Sequence, residues 1–163
     1  MRTVLLAVLC AGWLNPAWAT RYFPADSVWS QDISSAPVDA ESSAVIAWLA
    51  SVGGFGGGKM QIDFSLEVLT ADANTPFLDF IPTEDFFSPD CDLMPMPLPA
   101  GGALEGETGY ACVGDGDCHL IVVHPPSQRL YEMWRANITA EAFFGGCLAV
   151  WNQQLTYPPQ GRG

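Results

Sequence analysis

The sequence predicts a mainly β domain, a β-sandwich or jelly-roll-like fold with one short N-terminal helix. Three observations carry this expectation. One stretch, about 40–52, combines helix-forming residues with start and stop signals. Residues 60–68 alternate strictly between apolar and polar side chains. Prolines and glycines cut the remainder into short apolar runs, the pattern of many short strands joined by turns.

Taken in order, residues 1–19 read as a signal peptide. Met1-Arg2 is a short positive start, "TVLLAVLCAGWL" is an apolar run too short to span a bilayer comfortably, and Ala17 and Ala19 supply the A-x-A cleavage spacing. Leu9 before Cys10 argues against a lipid-attachment site, which needs a small residue there. The expected mature product, 20–163, is one exported β-rich domain, secreted or periplasmic. It carries five basic and eighteen acidic residues, a net charge of about −13. Such a chain repels phosphate backbones and anionic lipid, so neither nucleic acid nor a membrane surface is an expected partner. Acidity also attracts cations such as Ca²⁺, although solubility alone explains it.

"AESSAVIAWLASVGG" is the helix candidate, with Asp39 or Ser42 as cap and Gly53-Gly54 as stop. "GGFGGGK" lacks the G-K-[ST] ending and the preceding strand of a phosphate loop. In "KMQIDFSLEVLT", Met60, Ile62, Phe64, Leu66 and Val68 share the expected buried face of a strand. The next stretch, through Gly109, holds prolines at 76, 82, 89, 95, 97 and 99. These forbid a helix and confine strands to edges, while its Phe and Leu content predicts a packed loop. "YACVGDGDCHLIVV", "QRLYEMWRA" and "GGCLAVWN" supply further short strands.

Cys91, Cys112, Cys118 and Cys147 are left after the leader, and four cysteines in an exported chain imply two disulfides. Zinc is the alternative, but Cys112-x5-Cys118 does not match the usual knuckle spacing. Cys118–Cys147 and Cys91–Cys112 are the expected pairs: the first two each open a strand after a turn, and the second two flank the proline loop.

"GDGDCHLIVVHPPSQRLYEMWRA" concentrates the chemistry. "HPPSQ" is a turn, and pairing Val123 with Leu130 puts each residue i opposite 253 minus i. His119, Ile121, Val123, Leu130, Glu132 and Trp134 then share one face, and Cys118, Leu120, Val122, Tyr131 and Met133 the other. His119 and Glu132 become diagonal neighbours and acid–base candidates, with Trp134 opposite His119. Trp134 and the adjacent Arg135 are the ligand-binding candidates, a Trp being suited to stacking on a sugar ring. The simpler reading makes this a core face on which His119 and Glu132 satisfy each other. Asp115 and Asp117 in "GDGD" are candidate Ca²⁺ ligands, with Asp90 and Asp92 as further donors, but the EF-hand spacing is absent. Otherwise no cofactor is expected. Asn137 opens a glycosylation sequon, "NIT".

The segments "FPADSVWSQDISSAPVD", "MQIDFSLEVLTAD", "PAGGALEGETGYAC", "GDCHLIVV…RLYEMWRANI" and "GGCLAVWN" together resemble a group of exported bacterial proteins of unknown function, across Phe23 to Gly163. The group continues past the position of "YPPQGRG". The resemblance therefore implies an incomplete domain, the N-terminal part of a larger one, with exposed sheet edges. It implies no activity and no catalytic residues. The function expected from the residues is binding of an extracellular glycan, possible partners being polysaccharides. The alternatives are a glycan-active hydrolase or lyase using Glu132 and His119, or a non-functional fragment. With no basic stripe to neutralise phosphates, the chain should give no salt-sensitive mobility shift of DNA or RNA at micromolar protein.

Overall fold

The computed structural model describes residues 22–54, 65–158 and 160–162. The leader and the alternating run 60–64 lie outside them. The first regular element is a 3-10 turn, Val28–Ser30. Helix α1, Ser42–Ser51, falls inside the predicted window. The Asp39 carboxylate accepts the Glu41 N–H at 2.8 Å just before it. Gly53 and Gly54, both at positive φ, close the far end, where the Gly54 N–H reaches the Leu49 carbonyl at 2.7 Å. The helix buries none of its residues, and among the described residues none forms a helix long and apolar enough to cross a membrane.

The fold is mainly β. Strands β1 (Val68–Thr70), β5 (Leu120–His124), β6 (Arg129–Trp134) and β9 (Cys147–Asn152) form a sheet in the order β1-β5-β6-β9. β2 (Phe77–Leu78) pairs with β4 (Met96–Pro97), and β3 (Ile81–Pro82), β8 (Phe143–Gly145) and β7 (Asn137–Ile138) make a third sheet. Two pairings, β1–β5 and β3–β8, are parallel.

The β5–β6 hairpin has the predicted register, with Val123 opposite Leu130 and Ile121 opposite Glu132. Its turn, Pro125–Ser127, ends at Gln128 in the left-handed region. His124 braces it from inside. Nε2 faces the Asp72 carbonyl at 3.2 Å, so that nitrogen carries the hydrogen, and Nδ1 accepts the Ser127 hydroxyl at 2.7 Å.

Leu120, Val122, Tyr131, Met133 and Leu148 are buried against Met96, Leu104, Phe80 and Phe143 from the smaller sheets and loops. Full burial of one such side chain is worth about 1.5–3 kcal/mol. The layers touch closely. A Cβ added at Gly145 would lie 2.5 Å from the Met133 sulfur. Tyr110 tethers the Pro99–Gly101 loop by donating its hydroxyl to the carbonyls of both residues. Burial, helped by the charge of Glu67, pushes its phenol above the ordinary value.

Three sequence expectations change. In the described part of the alternating run, Leu69 and Ala71 are buried, whereas Leu66 and Val68 are exposed. Val68 pairs with Ile121, so it takes the outer face of the sheet, and Leu69 follows Val122 inward. Residues 110–119 form a loop, with strand structure starting only at Leu120. The disulfides are Cys91–Cys147 and Cys112–Cys118, in place of Cys118–Cys147 and Cys91–Cys112. Cys118 points inward beside Leu120 and meets its loop neighbour, while the proline loop runs along β9 and brings Cys91 to Cys147. Along the outer edge of β9, Asp92 and Arg162 supply contacts. The Asp92 N–H donates to the Leu148 carbonyl at 2.8 Å, its carboxylate accepts the Val150 N–H at 2.8 Å, and Arg162 pairs with that carboxylate.

Non-reducing peptide mapping should therefore recover Cys91 linked to Cys147 and Cys112 linked to Cys118. The Cys91→Ser/Cys147→Ser double variant opens the 56-residue separation and should lose about 2–5 kcal/mol of stability in chemical denaturation.

Candidate functional site

A groove of about 350 Å³ opens on the outer face of the four-stranded sheet. Its floor is Val68 from β1, Ile121 from β5, Leu130 and Glu132 from β6, and Trp151 from β9. These residues meet because the register puts Val68 beside Ile121, Ile121 beside Glu132, and Leu130 beside Trp151. One wall is the segment around the first 3-10 turn, with Tyr22, Phe23, Ser27, Val28 and Trp29; Leu155 and Tyr157 make the other.

Trp151 joins floor to walls. Phe23 meets it edge-on at 6.3 Å between ring centroids and Tyr157 at 5.2 Å. Its Nε1 donates to Glu132 Oε2 at 3.0 Å. The Tyr157 hydroxyl accepts the Asn152 N–H at 2.7 Å, and the Thr156 hydroxyl donates to Asp26 at 2.9 Å, tying the two walls together. The Arg162 guanidinium stacks 5.5 Å from the Trp151 centroid. Trp29 is different. It stands at the rim with 81% of its surface exposed, an unusual position for so large an apolar ring.

The predicted acid–base pair does not assemble. Glu132 lies in β6, but the regular pairing ends at Leu120 and leaves His119 in the preceding loop, and each has another partner. His119 Nδ1 lies 2.6 Å from Glu105 Oε2, while Glu132 holds Trp151. Glu105 was not visible as a partner in the sequence, because only the return of the 105–119 loop brings it there. Its N–H donates to the His119 carbonyl at 2.9 Å. Trp134 and Arg135 do not line the groove; the guanidinium of Arg135 lies 5.4 Å over the Trp134 ring and 3.7 Å from Asp85. The groove is built instead from Trp29, Trp151 and Tyr157. The signal for Trp29 and Tyr157 was the presence of aromatics in the non-periodic flanks "SVWS" and "QLTYPP", where no core demand explains them; Trp151 lies in the strand run "GGCLAVWN", whose outward face the sequence did not mark.

Asp115 and Asp117 are both exposed. Asp117 comes together with Glu105 and His119, their ligand atoms all within 4.8 Å of one another, in a group that does not include Asp115. Asp92 is engaged by Val150 and Arg162. The Asn137 side chain accepts the Cys112 N–H at 3.1 Å, so the sequon lies in a held strand.

The 105–119 loop is tied internally in two ways. Cys112–Cys118 closes it, and Glu107 accepts the N–H groups of Gly114 at 2.7 Å and Val113 at 2.9 Å. Those two bonds, Gly114 first, hold the Glu107 carboxyl below the usual carboxylate range.

Comparison with family models, curated proteins and solved structures finds no match. Function is therefore read from the groove and the loop.

Glu107 gives a pH test. Its folded pKa is depressed, so the stability it contributes is present above the unfolded value and lost as pH falls through the folded one. The melting-temperature gap between the parent chain and Glu107→Ala should be full at pH 7 and close progressively below about pH 4.5.

Proposed function

We propose that this is an exported, disulfide-bonded domain that binds a neutral extracellular glycan in the aromatic groove. The exposed indole of Trp29, at the rim of a groove whose apolar floor holds one carboxylate, carries the reading. Sugar rings present an apolar face to an aromatic ring and hydroxyls to polar groups at its edge. Glu132 is suited to accept sugar hydroxyls, since Trp151 engages its Oε2 and fixes its orientation. Among the described lining residues none is basic, and the Arg162 guanidinium that stacks on Trp151 is paired with Asp92, which disfavours uronate or sulfated chains. The A-x-A leader ending and the two disulfides support export.

Binding is preferred to hydrolysis for a specific reason. Glycosidases use two carboxylates flanking the scissile bond, and Glu132 is the one acidic residue among the described lining residues. His119, the other member of the enzymatic alternative, is committed to Glu105.

Affinity electrophoresis against neutral and uronate polysaccharides, read together with tryptophan fluorescence, tests this. The parent chain should be retarded by a neutral polysaccharide. Trp29→Ala should lose at least about 1 kcal/mol of binding free energy, the scale of an aromatic contact, with an unchanged melting temperature. Glu132→Gln should weaken binding and shift the melt by less than about 1 kcal/mol, since the amide oxygen still accepts from Trp151. Retardation that Trp29→Ala leaves intact would remove the groove from the reading.

A further inference from the structure

At the other end of the β5–β6 hairpin from the turn, we propose a binding site for a first-row transition-metal dication, formed by Glu105, Asp117 and His119. Three donors from two stretches of chain converge here, with ligand atoms within 4.8 Å of one another. Adjacent donors on one ion bound at about 2.0–2.2 Å sit roughly 3 Å apart, so the ion would replace the hydrogen now shared by His119 Nδ1 and Glu105 Oε2 at 2.6 Å and part the two slightly. The convergence is built by the backbone. Cys118 lies between Asp117 and His119, is fully buried, takes a φ of 51° and is bonded to Cys112. The Asp117 carbonyl accepts the Arg135 N–H at 3.0 Å, and the Cys118 carbonyl accepts the Ala136 N–H at 3.2 Å. Glu105 is held by its own N–H on the His119 carbonyl.

Charge gives a second, independent reason. Two carboxylates are kept close together, and among the described residues neither has an arginine or lysine ion-pair partner. A dication would offset both, where the hydrogen bond to His119 answers only Glu105. The donor set also selects the ion. An imidazole nitrogen favours Zn²⁺ and its neighbours over Ca²⁺, whose sites are all oxygen. The two sulfurs near Glu107 are not competing ligands, because they are joined to each other. Asp117 is exposed, so remaining coordination positions would face solvent. The site is separate from the groove and stands or falls without the glycan reading.

Isothermal titration of ZnCl₂, MnCl₂ and CaCl₂ into the EDTA-treated chain, with its disulfides confirmed by thiol assay, is the test. Zn²⁺ or Mn²⁺ should bind at one ion per chain and more tightly than Ca²⁺. His119→Ala and Asp117→Asn should each weaken that binding by about tenfold or more, the least that loss of a mere outer-shell partner costs. Asp117 is on the surface, so its variant should keep the parent melting curve and report on the metal alone. Absence of Zn²⁺ and Mn²⁺ binding at millimolar metal would overturn the site. So would Zn²⁺ or Mn²⁺ binding that both variants leave unchanged.

Discussion

The pairing of Val123 with Leu130 is the constraint on which the rest of the sheet depends. Side chains alternate between faces, so a slip of one residue would turn Leu120, Val122, Tyr131 and Met133 to solvent and drive Glu132 into the core. An unpaired carboxylate there would be strongly destabilising. The neighbours inherit the choice. Val150 and Leu148 follow Tyr131 and Met133 inward, and Trp151 follows Leu130 outward. On the other side Leu69 goes in with Val122, and Val68 goes out with Ile121. One register therefore decides both what the core contains and what the groove floor offers.

The groove needs more than a floor. Its walls come from opposite ends of the described chain, and the Asp26–Thr156 hydrogen bond joins residues 130 apart. Phe23 and Tyr157 present their edges to Trp151, each contact worth roughly 0.5–1.5 kcal/mol beyond the area it buries. Trp151 is thus both floor and anchor, and its bond to Glu132 places the one carboxylate among the described lining residues at a set orientation. Binding surfaces with fixed aromatics and few ordered polar groups lose little freedom when occupied.

The disulfides divide two tasks. Cys91–Cys147 fastens the proline-rich segment along β9, where Asp92 continues the hydrogen bonding and Arg162 adds its charge. Cys112–Cys118 closes a small loop just before β5, next to the point where His119 meets Glu105. The outer face of the hairpin consequently carries two separate chemistries: aromatic and apolar toward the turn, and ionisable at the opposite end.

The mainly β class, the helix near 42–51 and the hairpin register were all legible in the amino-acid sequence, because each rests on contacts between near neighbours. A glycine pair stops a helix, and an even-length turn sets which residues face each other. Alternation also marked two faces correctly in the hairpin, but it could not say which side of "SLEVLT" is inside. Its parallel partner β5 decided that, and put Leu69 in and Val68 out. Disulfide connectivity, the Glu105 partner of His119 and the aromatic walls around Trp151 belonged to the tertiary structure alone. Cys91 and Cys147 are 56 residues apart, and Glu105 and His119 are joined only by a closed loop. No local periodicity encodes such meetings; they follow from how the loops pack once the sheet has buried its inner face.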